Sequence, residues 1–251
     1  MEWRSRAGVD WLEASLGAGV RAAFSTRIGG VSMGSFESLN LGLLTGDDGA
    51  AVLENRRRLI AALGLGRAQV QFGHQVHGPE LATRSGPQPE AFTADPPAEP
   101  PEADGQVALD DALAPLVLVA DCLPVAMEGP GGVAMLHCGW RGLAAGLVGR
   151  GTAAIAAGSA AIGPGIGPCC YEVGEEVLDA FGELGEGIAD GRMLDLPEVA
   201  RRLLLQAGVQ QIEVAGICTR CDPERFFSHR RDDGHSGRQA GVAWRETEEG
   251  M

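Results

Sequence analysis

Cys122 and His137 stand fifteen positions apart, each at the end of an apolar run. Between them lies Glu128-Gly129-Pro130-Gly131, a strong turn signal. With Gly129-Pro130 as a two-residue hairpin loop, Glu128 pairs with Gly131 and Cys122 faces His137. Directly opposed residues share one face with Cβ atoms roughly 5 Å apart. From there a thiolate and an imidazole either share one metal ion or form a nucleophile–base pair. Both readings make the chain an enzyme rather than a scaffold. A catalytic zinc keeps three protein ligands and an open position, so the metal reading needs a third donor. The chain has five histidines, at 74, 77, 137, 229 and 235. His77 is expected at a strand end, followed by Gly78, which lets the backbone turn. His74 lies three steps away, on the other face of an extended segment. A free cysteine also packs as a small hydrophobe, and a lone histidine is commonly structural, so spacing leaves ligation, covalent catalysis and plain packing open.

The elements that must position these residues are legible in part. Val20–Phe24, Val70–Phe72, 106–109, 116–121, 124–128, 132–137, 160–162, 212–217 and 241–244 read as strands. Residues 51–65 place Val52, Leu59, Ile60 and Leu63 on one helical face, with Arg56-Arg57-Arg58 expected on the solvated side. Helices are also expected at about 141–157, 173–183 and 196–207, the last with Asp195 as N-cap, Pro197 in its first turn and Gly208 as the stop. Residues 85–103, rich in Pro, Glu and Ala, read as a long exposed loop inside one domain spanning 1–251. Strands and helices alternate incompletely and one hairpin is antiparallel. The fold class is therefore α+β, with mixed sheets rather than a doubly wound parallel one.

Composition bounds the function. A net charge of −14 over 251 residues argues against nucleic-acid binding, which needs a basic footprint. Arginines gathered in a few motifs on an acidic chain suit a small anionic ligand. The first twenty residues lack a leader's basic and long apolar regions, and no window approaches a membrane span. Six cysteines without an export signal point to thiols or ligands rather than disulfides. A cytoplasmic protein, a monomer or weak homodimer with no membrane partner, is the expectation. Cys218-Thr-Arg-Cys221, taken alone, is weak evidence for a structural zinc; Cys169-Cys170 reads as part of a turn.

Several motifs occur together and in order: Ser25-Thr-Arg-x-Gly-Gly-Val-Ser, Ser38-Leu-Asn-Leu-Gly42, Glu54-Asn-Arg56, Gln75-Val-His-Gly78, Ala120-Asp-Cys-Leu-Pro124 and His137-x-Gly-Trp-Arg-Gly142. Gly163-Pro-x-Ile-Gly-Pro-Cys-Cys-Tyr-Glu-Val173, Cys218-Thr219, Phe227-Ser-x-Arg-Arg231 and Gly237-Arg238 follow. The series resembles the laccase-domain, or "polyphenol oxidase", family of purine nucleoside phosphorylases. The resemblance implies a sandwich of mixed sheets flanked by helices, in α/β/β/α layers, and a zinc ion on His77, Cys122 and His137. It also implies phosphorolysis of adenosine, inosine and S-methyl-5'-thioadenosine, with adenosine deamination besides. The family pattern has a tyrosine where this chain has His229.

Phosphorolysis needs a held phosphate, and arginine's planar fork is the natural clamp. Arg27, Arg141 and Arg231 are the expected phosphate contacts, with Ser25 and Asn40 as sugar or base contacts or turn caps. Deamination needs a water activated by zinc and a proton carrier, for which Asp104, Asp121 and Glu172 are unranked candidates. The alternatives are a copper-dependent polyphenol oxidase, a metal-free Cys122/His137 hydrolase and a non-enzymatic cell-wall editing factor. Five histidines without His-x-His pairs argue against a multicopper centre.

Overall fold

The computed structural model describes residues 1–17, 19–66, 69–86, 91–95 and 100–246. Two six-stranded mixed sheets lie face to face. The first runs β1 (Glu2–Arg6), β2 (Val9–Gly17), β3 (Val20–Ser25), β14 (Gln239–Arg245), β7 (Ala114–Val119), β4 (Val70–Gln71). All its pairings are antiparallel except β4 with β7. The second runs β13 (Gln211–Val214), β10 (Ser159–Ile162), β8 (Leu123–Gly129), β9 (Gly132–Cys138), β6 (Gly105–Ala108), β5 (Leu81–Arg84), with parallel pairs at its two edges. A short ribbon, β11 (Ala189–Asp190) with β12 (Met193–Leu194), stands apart.

Three apolar clusters explain the layering. Phe24, Val117, Val133, Met135 and Ala243 meet between the sheets. Leu116, Ala240 and Val242 face outward from the first sheet onto Leu59, Ile60 and Leu63 of α1 (Gly49–Leu63). Val125, Met127 and Leu136 face outward from the second onto α3 (Leu147–Ile155) and α5 (Leu196–Gln206). The central strands are covered on both faces, so they read as unbroken apolar runs rather than alternating ones. Gly241 belongs where the sheets approach closely: a Cβ there would lie 2.6 Å from Pro124 Cβ. The expected α+β sandwich in α/β/β/α layers is the architecture found. Among the described residues no helix is long and apolar enough to cross a membrane.

Several local expectations shift. The helix foreseen at 141–157 is two, α2 (Trp140–Ala144) and α3, broken at Gly146 with φ 85°. The one at 173–183 shrinks to α4 (Glu175–Asp179). Helix α5 keeps its Asp195 cap, which accepts from Glu198 N at 3.0 Å. Arg56 is not on a solvated face. It is 2% exposed, lies between the Phe72 and Phe92 rings, and donates to Leu41 O and Phe92 O. That bond anchors the stretch expected as exposed: Phe92 and Thr93 are buried, while 87–90 and 96–99 lie outside the described residues.

The hairpin register also differs. Gly129 pairs with Gly132, Pro124 with His137 and Leu123 with Cys138, so the loop is Pro130-Gly131. Proline fits the second position of a β-turn, where φ near −65° is required, and not the third. The expected loop would have placed it third. The register therefore moves by two, and a shift of two preserves the face. Cys122, one step before β8, shares its face with Pro124 and so stays beside His137 as a diagonal neighbour.

Candidate functional site

The three donors come from separate routes across the sandwich. His77 lies on the crossover from β4 in the first sheet to β5 in the second. Cys122 lies on the crossover from β7 to β8, and His137 near the end of β9. His77 is not at a strand end as expected, but in a loop with φ 62°. Asp104 holds that conformation: its carboxylate accepts Val76 N at 3.0 Å, His77 N at 2.9 Å and Gly78 N at 2.8 Å. The same carboxylate takes His137 Nδ1 at 2.7 Å, which turns Nε2 of that ring toward the thiol. Asp121, with φ 85°, sets the turn before Cys122 and accepts Thr219 Oγ1 at 2.6 Å and Arg230 N at 2.7 Å.

The ligand atoms of His77, Cys122 and His137 all lie within 4.8 Å of one another. The two imidazoles meet edge to face, their centroids 4.8 Å apart. Gly139 keeps the centre open: a Cβ there would lie 3.0 Å from Cys122 Sγ and 3.2 Å from His77 Cδ2. Burial opposes ionisation of Cys122, yet the attraction of His137 and hydrogen bonds from both imidazoles outweigh it and pull the thiol down to about 6. Burial likewise opposes charge on His137, but Cys122 and Asp104 raise it to about 9. Asp104 sits below the usual carboxylate range, because His137 and the Gly78 and Val76 amides outweigh its burial. A preformed thiolate, two imidazoles and a carboxylate that orients one ring form a donor set that fits a metal ion.

A cleft of about 370 Å³ is lined by Trp140, Arg141, Tyr171, Glu172, Arg192 and Arg230, among others. Burial and the Cys122 charge push Tyr171 up to about 12 against the pull of Arg230 and Arg141. Lining residue Trp140 directly follows Gly139, which abuts Cys122 Sγ and His77, and so sets the cleft beside the donor triad. Arg141 stacks on Trp140 at 4.5 Å and has no ion-pair partner among the described residues. Arg230 stacks on Tyr171 at 5.3 Å and donates to Glu172 O.

The other expected contacts are drawn inward. Ser25 Oγ accepts Ala240 N, and buried Asn40 ties Thr45, Asp47 and Arg238 N together. Arg27 stacks on Phe227 at 4.5 Å and donates to Glu37 O and Pro223 O. Arg231 spends its fork on Asp232, Thr219 O and Phe226 O. Their polar atoms bond loop and strand groups of the protein, and of the five only Arg141 lines the cleft. Arg230 and Tyr171 were the less obvious members. Motif membership flagged both, but only tertiary packing separates Arg230 from its neighbour Arg231. His229 is exposed.

Residues 21–246 match the family model for the multi-copper polyphenol oxidoreductase laccase. A purine nucleoside phosphorylase, YfiH, of Escherichia coli (strain K12) is 38% identical over 239 residues, covering 90% of this chain and 94% of that one. A purine nucleoside phosphorylase of Xylella fastidiosa (strain Temecula1) is 39% identical, with 90% and 92% covered. The crystal structure of YlmD from Geobacillus stearothermophilus superposes with a TM-score of 0.86 at 35% identity, over 98% of this chain and 99% of that one. Fold, coverage and motif order agree: the chain belongs to the multi-copper polyphenol oxidoreductase laccase family.

Proposed function

We propose that the chain is a zinc-dependent purine nucleoside phosphorylase acting on adenosine, inosine and S-methyl-5'-thioadenosine, and that the same site deaminates adenosine. The observation that carries this is the adjacency of the His77–Cys122–His137 donor set to an arginine- and aromatic-lined cleft. The similar proteins called purine nucleoside phosphorylases support it. His77, Cys122 and His137 would hold the zinc, which when bound supplies a Lewis acid at the edge of the cleft.

Everything else falls to side chains. In phosphorolysis a phosphate oxygen bonds to C1′ of the ribose as the bond from C1′ to the purine nitrogen breaks, its electron pair leaving with the base. Arg141, planar and with no ion-pair partner among the described residues, holds the phosphate by its fork, and Arg230 adds positive charge to the same wall. Trp140 and Tyr171 give the purine aromatic faces. Tyr171 keeps its proton at neutral pH and so donates as a neutral phenol. In deamination, water adds at C6 and ammonia leaves, which requires a carrier for the proton. Asp104 and Asp121 already accept amide, imidazole and hydroxyl donors. Glu172 lines the cleft and, among the described residues, has only Arg192 beside its carboxylate, at 3.2 Å; it takes that role.

Purified protein incubated with adenosine, with and without phosphate, tests the reading. Adenine and ribose 1-phosphate that require phosphate support phosphorolysis. Inosine alone reduces the function to deamination, and no turnover, unaltered by Cys122→Ala, favours a binding role. Stoichiometric copper in place of zinc would favour the oxidase named in the family description.

A further inference from the structure

We propose that Cys169, Cys170, Cys218 and Cys221 form a second metal site, which takes one zinc ion in a tetrahedral cage of thiolates and serves structure rather than chemistry. The cage shares no residue with the His77–Cys122–His137 group, and its sequence halves lie far apart. Cys169-Cys170 follows Pro168 in the loop after β10, and Cys218 and Cys221 close the loop after β13. Because β10 and β13 are parallel neighbours, the two loops leave the sheet side by side. Gly165 then bridges Cys218, with Gly165 N donating to Ile217 O at 3.3 Å and Thr219 N to Gly165 O at 3.0 Å.

That alignment brings all four sulfurs within 4.8 Å of one another. Cys221 Sγ lies 3.5 Å from Cys169 Sγ and 3.4 Å from Cys170 Sγ. Zinc–sulfur bonds of about 2.3 Å in a tetrahedron put neighbouring sulfurs about 3.8 Å apart, so small adjustments suffice. None of the four is in a disulfide, and Cys221 has two near-equal neighbours, which gives no single preferred pair. Two tight turns present the sulfurs: Cys170 N donates to Gly167 O and Cys221 N to Cys218 O. Gly167 N donates to Cys218 Sγ at 3.3 Å, the kind of amide–sulfur bond that supports a thiolate ligand.

A soft dication lets four crowded sulfurs ionise together, each thiol releasing its proton as it binds. The bound ion would tie the loop carrying Tyr171 and Glu172 to the loop carrying Thr219 and Arg230, two sides of the frame around the cleft and Asp121.

Metal analysis of the reduced full-length protein, with Cys218→Ser/Cys221→Ser and Cys122→Ala as separate variants, tests this. The expected result is that Cys218→Ser/Cys221→Ser loses one zinc equivalent that Cys122→Ala retains. Zinc that disappears with Cys122→Ala and is unchanged in the double variant overturns the proposal. Wild-type protein gives a second readout independent of variant folding. After chelator treatment, iodoacetamide should label all four cysteines, and added zinc should abolish that labelling in peptide maps. Labelling that is indifferent to zinc, or a disulfide within the cluster in protein kept reduced, overturns it as well.

Discussion

Asp104 gathers four donors on one buried carboxylate: three successive backbone amides around His77 and one ring nitrogen of His137. It therefore sets both the position of one metal donor and the tautomer of another. Asp104→Asn keeps the shape but presents an NH2 group where oxygen accepted. Zinc affinity, measured by competition with a chromophoric chelator, should fall about 10- to 100-fold; unchanged affinity would remove Asp104 from the site. Arg141 makes a different demand, since its guanidinium rests on Trp140 with no acidic partner among the described residues. Arg141→Ala should raise the KM for phosphate roughly tenfold or more, the worth of a charge-assisted bond. The KM for adenosine should change much less. Equal changes in both would mean the residue shapes the cleft without holding phosphate. Cys122 and His137 were legible as residues because each ends an apolar run. The protein partners of Ser25, Arg27, Asn40 and Arg231 were not, because a motif reports that a side chain is required without naming the backbone groups it bonds.

At the scale of elements, turn chemistry decided what spacing left open. Pro130 suits the second turn position, which moved the hairpin by two residues and still kept Cys122 beside His137. Gly146, with positive φ, broke one expected helix into α2 and α3, although the alanine-rich sequence around it favours continuity. The cap of α5 was readable from Asp195 and Pro197, since capping is local. The buried face of α1 was only half readable. Arg56 looks solvated until Phe72 and Phe92, remote in sequence, are seen on either side of it. Helix α5 also carries a pH-sensitive contact. Hydrogen bonds from Arg201, aided by Arg202 and opposed by burial, hold Glu198 at about 2 against an ordinary 4.5. A depressed carboxylate stabilises the fold fully above its unfolded value, and that contribution disappears as pH falls from about 4.5 toward 2. Because the arginines are partly solvated, the effect should be about 1 kcal/mol. Urea midpoints should fall on acidification by less in Glu198→Gln than in the wild type; identical slopes would show that the pair adds nothing.

Across the whole molecule, one apolar cluster is shared by the two sheets where they meet face to face, while the other two pack helices onto each sheet's outer face. Unfolding should accordingly be a single transition, with far-ultraviolet circular dichroism and tryptophan fluorescence coincident. Trp3 and Trp11 report on the first sheet and Trp140 on the end of the second, so separated midpoints would reveal independent halves. The layered class was legible because doubly covered strands write apolar runs. The meeting of Cys169-Cys170 with Cys218 and Cys221 was not, since it depends on two strands being parallel neighbours, which no local pattern encodes. The crossovers that carry His77 and Cys122 have one more consequence, for the timing of assembly. Each passes from one sheet to the other, so His77 reaches the Cys122–His137 pair of the hairpin only after both sheets have formed and docked. A nascent or partly folded chain offers at most that pair, never the triad. Loading of the proposed metal would thereby be postponed until the chain has passed its own structural inspection.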